Sequence, residues 1–136
     1  MPKTNRSLLI KDYTSLPQIL ADRKLASLGD AYINFVYSLA LSQRKGKPSG
    51  AKVKGTALSE ALRKAGLRKH LPSRIDKHVL SDAAEALVVY AWLHDLLTLE
   101  DSVKILGKTD SLVEGLTQLL KAKERIKLSG LFPARC

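Results

Sequence analysis

The stretch ALVVYAWL at positions 86–93 constrains the fold more than any other part of this sequence, because it is apolar on almost every side. Such a run suits either a central strand or a helix that is surrounded by other elements. Apolar residues recur at helical spacing from further upstream, at Leu80, Ala83, Leu87 and Ala91. This length exceeds that of a usual strand, so we predict a buried central helix that follows Pro72-Ser73 and ends near Leu97.

The rest of the chain is also organised by helical patterns. It contains no internal repeat, no strand-like alternation of useful length and no Asn-Gly or Asp-Gly hairpin pair. With 136 residues, of which 45% are hydrophobic, it can build one core but has little room for a second module. We therefore predict an all-α fold in a single domain over residues 1–136, with its core at about 16–128.

Capping residues and glycines set the predicted ends of several helices. Ser15 predicts the start of a short helix to about residue 21, and Thr56 that of a helix to about Ala65. Gly66 would end the second helix in a left-handed conformation. Further predictions are a short helical turn over about 102–106, a helix from about 110 that buries Ile126, and a loosely held tail from residue 128.

The segment from about Asp22 to Ser42 predicts a long amphipathic helix. Its apolar side carries Leu25, Leu28, Phe35, Val36 and Leu39. Its polar stripe consists of Arg23, Ser27, Asp30, Asn34 and Ser38. Gly29 inside this helix costs roughly 1 kcal/mol relative to alanine, so we expect something to approach the helix backbone closely there.

The charge of the chain favours a polyanionic partner. Lys and Arg number 23 against 13 Asp and Glu, a formal net charge of +10. Nucleic acid is the leading partner on this ground and an anionic membrane the second. Eleven of the basic residues and only two acids lie between Gln43 and His78, so this block carries nearly the whole excess. The alternative is that the block is only a solubilising surface.

Part of this basic block, QRKGKPSGAKVKG at residues 43–55, breaks the helical periodicity with glycine, proline and serine. Such a composition is typical of loops. We therefore predict an exposed, mobile loop that carries five basic side chains.

Other classes of protein find little support. The single cysteine, Cys136, cannot form an internal disulfide or a cysteine metal cluster, and it predicts a reducing, cytoplasmic setting. No segment approaches the ~18 apolar residues of a membrane span, and the N-terminus lacks the apolar core of a signal peptide, so we expect a soluble protein. No G-x-S-x-G elbow, P-loop or dinucleotide fingerprint occurs. His70 and His94 have no companions that suggest a metal site.

Two short acidic motifs carry the predicted chemistry. Asp82 and Glu85 stand three residues apart on one helix, so their Cβ atoms are ~5–6 Å apart and could share one hard cation. If the two long helices pack side by side, Asp30 completes a cluster of three carboxylates. Such a cluster suits Mg²⁺ or Mn²⁺ facing a phosphate. The plainer alternatives are that Asp82 and Glu85 are exposed acids in the first turn of a helix, and that Asp30 is solvated.

The two motifs together resemble the ribonuclease III family. LASLGDAYINFVYSLAL resembles the signature helix of that family, and SDAAEALVVYAWL resembles its second acidic helix. The resemblance covers the catalytic domain, from about Leu16 to Leu128. Because the usual companion RNA-binding domain is absent, the chain resembles the small Mini-III type and a compact archaeal subgroup.

The resemblance implies a helical homodimer that cleaves double-stranded RNA and leaves short 3′ overhangs. It also implies that Asp30, Asp82 and Glu85 are the metal and water ligands. Substrate would then be held by the basic block, for which the candidate RNA-binding residues are Arg44, Lys45, Lys47, Lys52, Lys54, Arg74 and Lys77.

The sequence departs from the family at Ala26, where ribonuclease III proper has a glutamate one turn before the aspartate of its signature. This puts a second metal ion in doubt and motivates a second hypothesis, a non-catalytic RNA-binding or scaffold protein with the same fold. A third hypothesis is DNA binding, because residues 56–65, the Gly66 turn and the basic segment after it resemble a helix-turn-helix.

Several neighbouring side chains have open roles. Asn34 could offer a carbonyl oxygen to the metal, and His78 shares a helical face with Asp82 and Glu85, although a structural role is the plainer interpretation of each. The aromatic residues near Asp30 are expected to pack or to form a dimer contact; they are Tyr32, Phe35 and Tyr37.

Overall fold

The computed structural model describes Leu9, Lys11 and residues 13–128, the last two without their side chains. The predicted tail beyond residue 128 and Cys136 lie outside the described residues. Within the described part of the chain every regular element is helical, which confirms the all-α prediction. The helices are α1 Leu16–Leu20, α2 Arg23–Lys45, α3 Gly55–Lys64, α4 Lys77–Leu93, α5 Leu99–Gly107, α6 Leu112–Leu120 and α7 Ala122–Leu128, with one 3₁₀ turn at Arg68–His70.

The centre of the domain is α4, as its apolar stretch predicted. Residues 83–91 are all buried, and the helix packs against α1, α2, α3, α6 and α7. Asp76 begins α4 by accepting a hydrogen bond from the N–H group of Val79. The helix ends at Leu93, earlier than predicted, and Asp95 then takes a left-handed conformation with φ of 57°.

Two predicted helix caps are wrong in detail. Ser15 precedes α1, but its side chain makes no capping hydrogen bond. The capping residue of this region is Asp22, whose carboxylate accepts hydrogen bonds from the first N–H groups of α2. Helix α3 begins at Gly55, before Thr56, and Gly66 follows it with the predicted left-handed φ of 77°.

The C-terminal third contains more helix than predicted, divided differently. The short turn expected at about 102–106 is the longer helix α5, which Thr98 and Asp101 start with reciprocal hydrogen bonds. The helix expected from residue 110 is two helices, because the chain turns at Lys121 between α6 and α7. Ile126 is fully buried, as predicted.

The resemblance to a helix-turn-helix is wrong. After Gly66 the chain makes only the 3₁₀ turn and forms no α-helix until Lys77. A helix-turn-helix needs a second α-helix directly after its turn. The DNA-binding hypothesis therefore loses the feature that motivated it.

The loop predicted from Gln43 begins later, because α2 continues to Lys45, and residues 49–53 run alongside that helix without regular structure of their own. The hydroxyl group of Ser42 donates to the carbonyl of Ser49 and accepts from its N–H group, at 3.1 and 2.8 Å. Ser38 makes the same pair of bonds with Ala51, at 3.1 and 2.9 Å.

A third rung completes this arrangement. The side-chain oxygen of Asn34 accepts a hydrogen bond from the N–H group of Val53 at 2.7 Å. Four helical residues rise about 6 Å and two extended residues about 6.6 Å, so helix and segment stay in step. We call these three rungs the ladder; they pair Ser42 with Ser49, Ser38 with Ala51, and Asn34 with Val53.

The closest approach of two helices is at Gly29 of α2. A Cβ atom placed on Gly29 would lie 2.1 Å from the carbonyl oxygen of Glu85 in α4. Only glycine fits under this carbonyl, which confirms the prediction that something approaches the backbone closely there. The contact fixes α2 directly beside the acidic part of α4.

Candidate active site

Carboxylates from two helices meet in a cleft of about 520 Å³. Asp30 of α2 and Asp82 and Glu85 of α4 all line it. The rest of its wall comes from the first turns of α2 and α4 and from the start of α3. The structure thus brings together the three acids that the sequence singled out.

Glu85 is the buried member of this group, with only 6% of its surface exposed. The pKa of Glu85 is raised to about 8, first by burial and then by the hydrogen bond with Asp30 and the negative charges of Asp30 and Asp82. At neutral pH, Glu85 is therefore mostly protonated and can donate a hydrogen bond to Asp30.

The interpretation of Asp82 and Glu85 as exposed acids of a first helical turn is wrong for both residues, because no acid lies in the first turn of α4. Helix α4 begins at Lys77, so Glu85 lies in its third turn, among buried residues. Its carboxyl group is too far from the helix start to gain from the helix dipole, which acts within the first turn. Another interaction must offset the cost of burying it.

The three acids offer the type of donor that a hard divalent cation prefers, which is carboxylate oxygen. A cation would also neutralise the charges of Asp30 and Asp82, which raise the pKa of Glu85 in addition to burial. The side chains as they stand form a hydrogen-bonded pair, Glu85 and Asp30, with Asp82 beside it. Within the described residues, no group of three or more His, Cys, Asp or Glu side chains has an arrangement that could hold a metal ion. The side chains would have to rearrange on binding one.

The cleft also contains polar residues to which sequence reasoning gave no role. Arg23 and Ser27 precede Asp30 on α2 and line the cleft with it. They lie seven and three residues before Asp30 on the predicted polar stripe, and this helical spacing could have predicted that they share a face of α2 with Asp30. His78, the exposed histidine of α4, lies on the same wall as Asp82.

Asn34 stands between the acids and the ladder. Its side-chain nitrogen donates a hydrogen bond to the carboxylate of Asp30 at 3.1 Å, while its oxygen accepts from Val53. Because a backbone N–H group can only donate, the oxygen must face Val53 and the nitrogen Asp30. The side-chain oxygen of Asn34, which the sequence offered as a metal ligand, is therefore already engaged in the hydrogen bond from Val53.

The predicted RNA-binding residues are all exposed, but they are not equivalent. Arg44 donates to the carbonyls of Leu106, Gly107 and Thr109, so it closes the C-terminal end of α5. Lys52 and Lys54 alternate with the anchored Ala51 and Val53 and face solvent. The remaining ones, Lys45, Lys47, Arg74 and Lys77, lie at the end of α2 and at the start of α4.

Two of the three aromatic residues near Asp30 pack inside the domain, and the third is exposed. Tyr32 is buried, hydrogen-bonded to Ser102 at 3.1 Å and packed on Trp92, and Tyr37 packs against the core, so both serve packing as predicted. Phe35 is 53% exposed.

No described helix is long and apolar enough to cross a membrane.

The described part of the chain is thus an all-helical domain in which two neighbouring helices bring acidic side chains into one cleft. The sequence profile of ribonuclease III matches residues 23–130, and the chain belongs to that family. The matched range includes both acidic helices and the ladder between them. Comparison with curated proteins gives no significant match.

Proposed function

We propose that this chain is a metal-dependent endoribonuclease that hydrolyses phosphodiester bonds in double-stranded or structured RNA in the cytoplasm. The observation that supports this most is the meeting of Asp30 with Asp82 and Glu85 in one cleft. The net charge of +10 attracts phosphates to the chain as a whole. A local group of acids would repel them unless it binds a cation, so this group supports a metal-binding function.

In this mechanism Asp30, Asp82 and Glu85 would hold Mg²⁺ or Mn²⁺. The bound metal would supply the positive charge that activates a water molecule and stabilises the leaving 3′ oxygen. Glu85 would have to release its proton to solvent to act as a ligand, since carboxyl ligands bind deprotonated. The exposed Lys52 and Lys54 would contact the flanking phosphates. Because A-form RNA is recognised by its shape, we expect little sequence preference.

We further propose that the chain works as a homodimer through the outer face of α2. Leu28 and Phe35 are 38% and 53% exposed and lie seven residues apart, on one side of the helix. Ala31 and Leu39 share that side, which makes an apolar stripe along α2. A second copy of the chain fits it best, because a self-complementary stripe suits a twofold contact.

The proposal is tested by incubating the purified protein with long duplex RNA and Mg²⁺ or Mn²⁺, with EDTA as the control. We expect metal-dependent cleavage, reduced at least about 100-fold in Asp30→Asn and Glu85→Gln. RNA binding should be largely kept in both variants. Glu60→Gln is the matched control, because it removes one exposed carboxylate of α3 outside the cleft and should cleave normally.

The competing hypothesis is a non-catalytic RNA-binding or scaffold protein, and it rests on Ala26, which lines the cleft in place of a fourth acid. Intact RNA in the presence of either metal, combined with tight binding to duplex RNA, would establish that hypothesis instead. Equal affinity for duplex DNA and duplex RNA would contradict both.

A further inference from the structure

The segment that joins α2 to α3 carries lysines at alternate positions, on the side away from the helix. Ser49, Ala51 and Val53 face α2 and are partly buried, whereas the even-numbered residues 48–54 are exposed. Lys52 and Lys54 are among the exposed ones, and Val53 and Gly55 line the acidic cleft. Both lysines are therefore exposed to solvent and directly adjacent along the chain to residues of the cleft wall.

The backbone of this segment is held from both sides. Beyond the ladder, the hydroxyl group of Ser81 in α4 donates to the carbonyl of Gly55 at 2.8 Å. Residues 49, 51 and 53 are thus fixed by α2 and residue 55 by α4. Irregular backbone that is fixed at every second residue has little freedom left to lose when a ligand binds.

Asn34 joins this segment to the acidic cluster. One amide group binds the carboxylate of Asp30 and the backbone of Val53 at once. A shift of the segment therefore acts on Asp30, and a change at Asp30 acts on the segment. Ser38 and Ser42 have no such second contact with an acid among their hydrogen bonds.

We propose that the ladder holds Lys52 and Lys54 as a preordered edge for the phosphates of duplex RNA, and that Asn34 is the positioning residue that fixes this edge relative to Asp30. This inference rests on the proposed function and adds to it a division of labour. Ser38 and Ser42 serve substrate binding alone, whereas Asn34 serves binding and turnover together.

The first part of the test is hydrogen exchange on the metal-free protein without RNA. The amides of Ala51 and Val53 should be protected and that of Lys52 should exchange rapidly. Ser38→Ala should release the amide of Ala51 without unfolding the protein. Rapid exchange at both Ala51 and Val53 in the wild-type protein would overturn the ladder as an ordered edge, whatever the protein does to RNA.

The second part separates the roles of the rungs by steady-state kinetics on duplex RNA and by RNA binding in EDTA. Ser38→Ala should raise KM and the RNA dissociation constant about three- to tenfold, the effect of one hydrogen bond, with kcat within about twofold. Asn34→Asp keeps an acceptor for Val53 but loses the donor to Asp30. It should keep the amide protection of Val53 and lower kcat at least about tenfold.

Asn34→Ala should combine both defects, and Lys121→Ala, which removes an exposed lysine beside a different cleft, should show neither. Equal effects of Asn34→Asp and Ser38→Ala on kcat would overturn the positioning role of Asn34 while leaving the nuclease proposal intact. A wild-type protein that neither binds nor cleaves RNA would overturn the nuclease proposal and this inference with it.

Discussion

Gly29 of α2 lies directly under the backbone carbonyl of Glu85 in α4, with room for a hydrogen atom but not for a methyl group. Gly29 therefore contacts the backbone of Glu85, and the next residue, Asp30, contacts the side chain of Glu85. One glycine sets the distance between the two helices that supply the acids.

Replacing Gly29 with alanine should force α2 away from α4. We expect a loss of about 3 kcal/mol in the free energy of unfolding, at the upper end of overpacking effects, measured by urea denaturation. Gly107→Ala is the control, since a Cβ atom there meets nothing within 4 Å, and it should be neutral or slightly stabilising. Equal stability of the two variants would show that the helices can separate freely.

The raised pKa of Glu85 predicts how stability depends on pH when metal is removed. The folded protein keeps a proton that the unfolded chain releases above its ordinary pKa of 4.5, so stability should fall as the pH rises from about 4.5 to about 8. Glu85→Gln keeps the hydrogen bond without the charge. At pH 9 in EDTA it should be more stable than wild type by at least about 1.4 kcal/mol, the equivalent of one pKa unit.

The same measurement at pH 5 should show little difference between the two proteins, because Glu85 is then protonated in the folded state and the charge is absent. Added Mg²⁺ at pH 8 should raise the melting temperature of the wild type more than that of Glu85→Gln. The stability difference between Glu85→Gln and wild type should therefore be larger at pH 9 than at pH 5. An equal difference at both pH values would contradict the raised pKa of Glu85.

His94 predicts the opposite pH dependence. Its Nε2 atom is buried with no hydrogen-bond partner in the described structure, and burial lowers the pKa of the imidazole below its ordinary 6.5. The stability gained from the neutral ring is present above about pH 6.5 and is lost as the pH falls. Thermal melts at pH 7.5 and 5.5 should show a smaller loss for His94→Phe, which keeps a ring against Tyr90, than for wild type.

Lys52 and Lys54 should contribute to the salt dependence of RNA binding. Each lysine that contacts a phosphate accounts for about one unit of the slope of log affinity against log salt. The double variant Lys52→Ala, Lys54→Ala should lower the slope by about two units, as measured by fluorescence anisotropy in EDTA. Lys121→Ala should leave the slope unchanged, and a slope that is unchanged in the double variant would exclude these lysines as contacts.

Phe35 should decide the state of association. Sedimentation equilibrium should give a dimer for the wild type and mainly a monomer for Phe35→Glu, because a charge in an apolar contact is costly to bury. Gln118→Glu introduces the same charge at an exposed position of α6 and should remain dimeric. A wild-type monomer at micromolar concentration would contradict the proposed α2 interface.

Much of the fold followed from periodicity, and the reason is visible in α4. A helix that is buried on all sides needs apolar residues on all sides, and that pattern is readable in any sequence. Helical spacing also placed Asp82 and Glu85 on one face of α4, whereas the choice of Asp30 as their companion came from the resemblance to the ribonuclease III signature.

The ladder could not be predicted, because it depends on how an irregular segment lies against a helix. Glycine, proline and serine in residues 46–50 indicate a loop, but they do not tell whether its backbone bonds to water or to protein. Ser38 and Ser42 looked like ordinary polar residues of an exposed face. Arg44 was likewise predicted from its charge to bind RNA, whereas its place at the end of α5 depends on tertiary contact.

The pairing of every fourth residue of a helix with every second residue of an extended segment has a consequence for how this protein can change over time. One amino acid inserted between Ser49 and Val53 would turn Lys52 toward α2 and its neighbours toward solvent, since side chains alternate along extended backbone. Two inserted residues would preserve the alternation and cost only a small bulge. Homologues that differ in length here should therefore differ by even numbers.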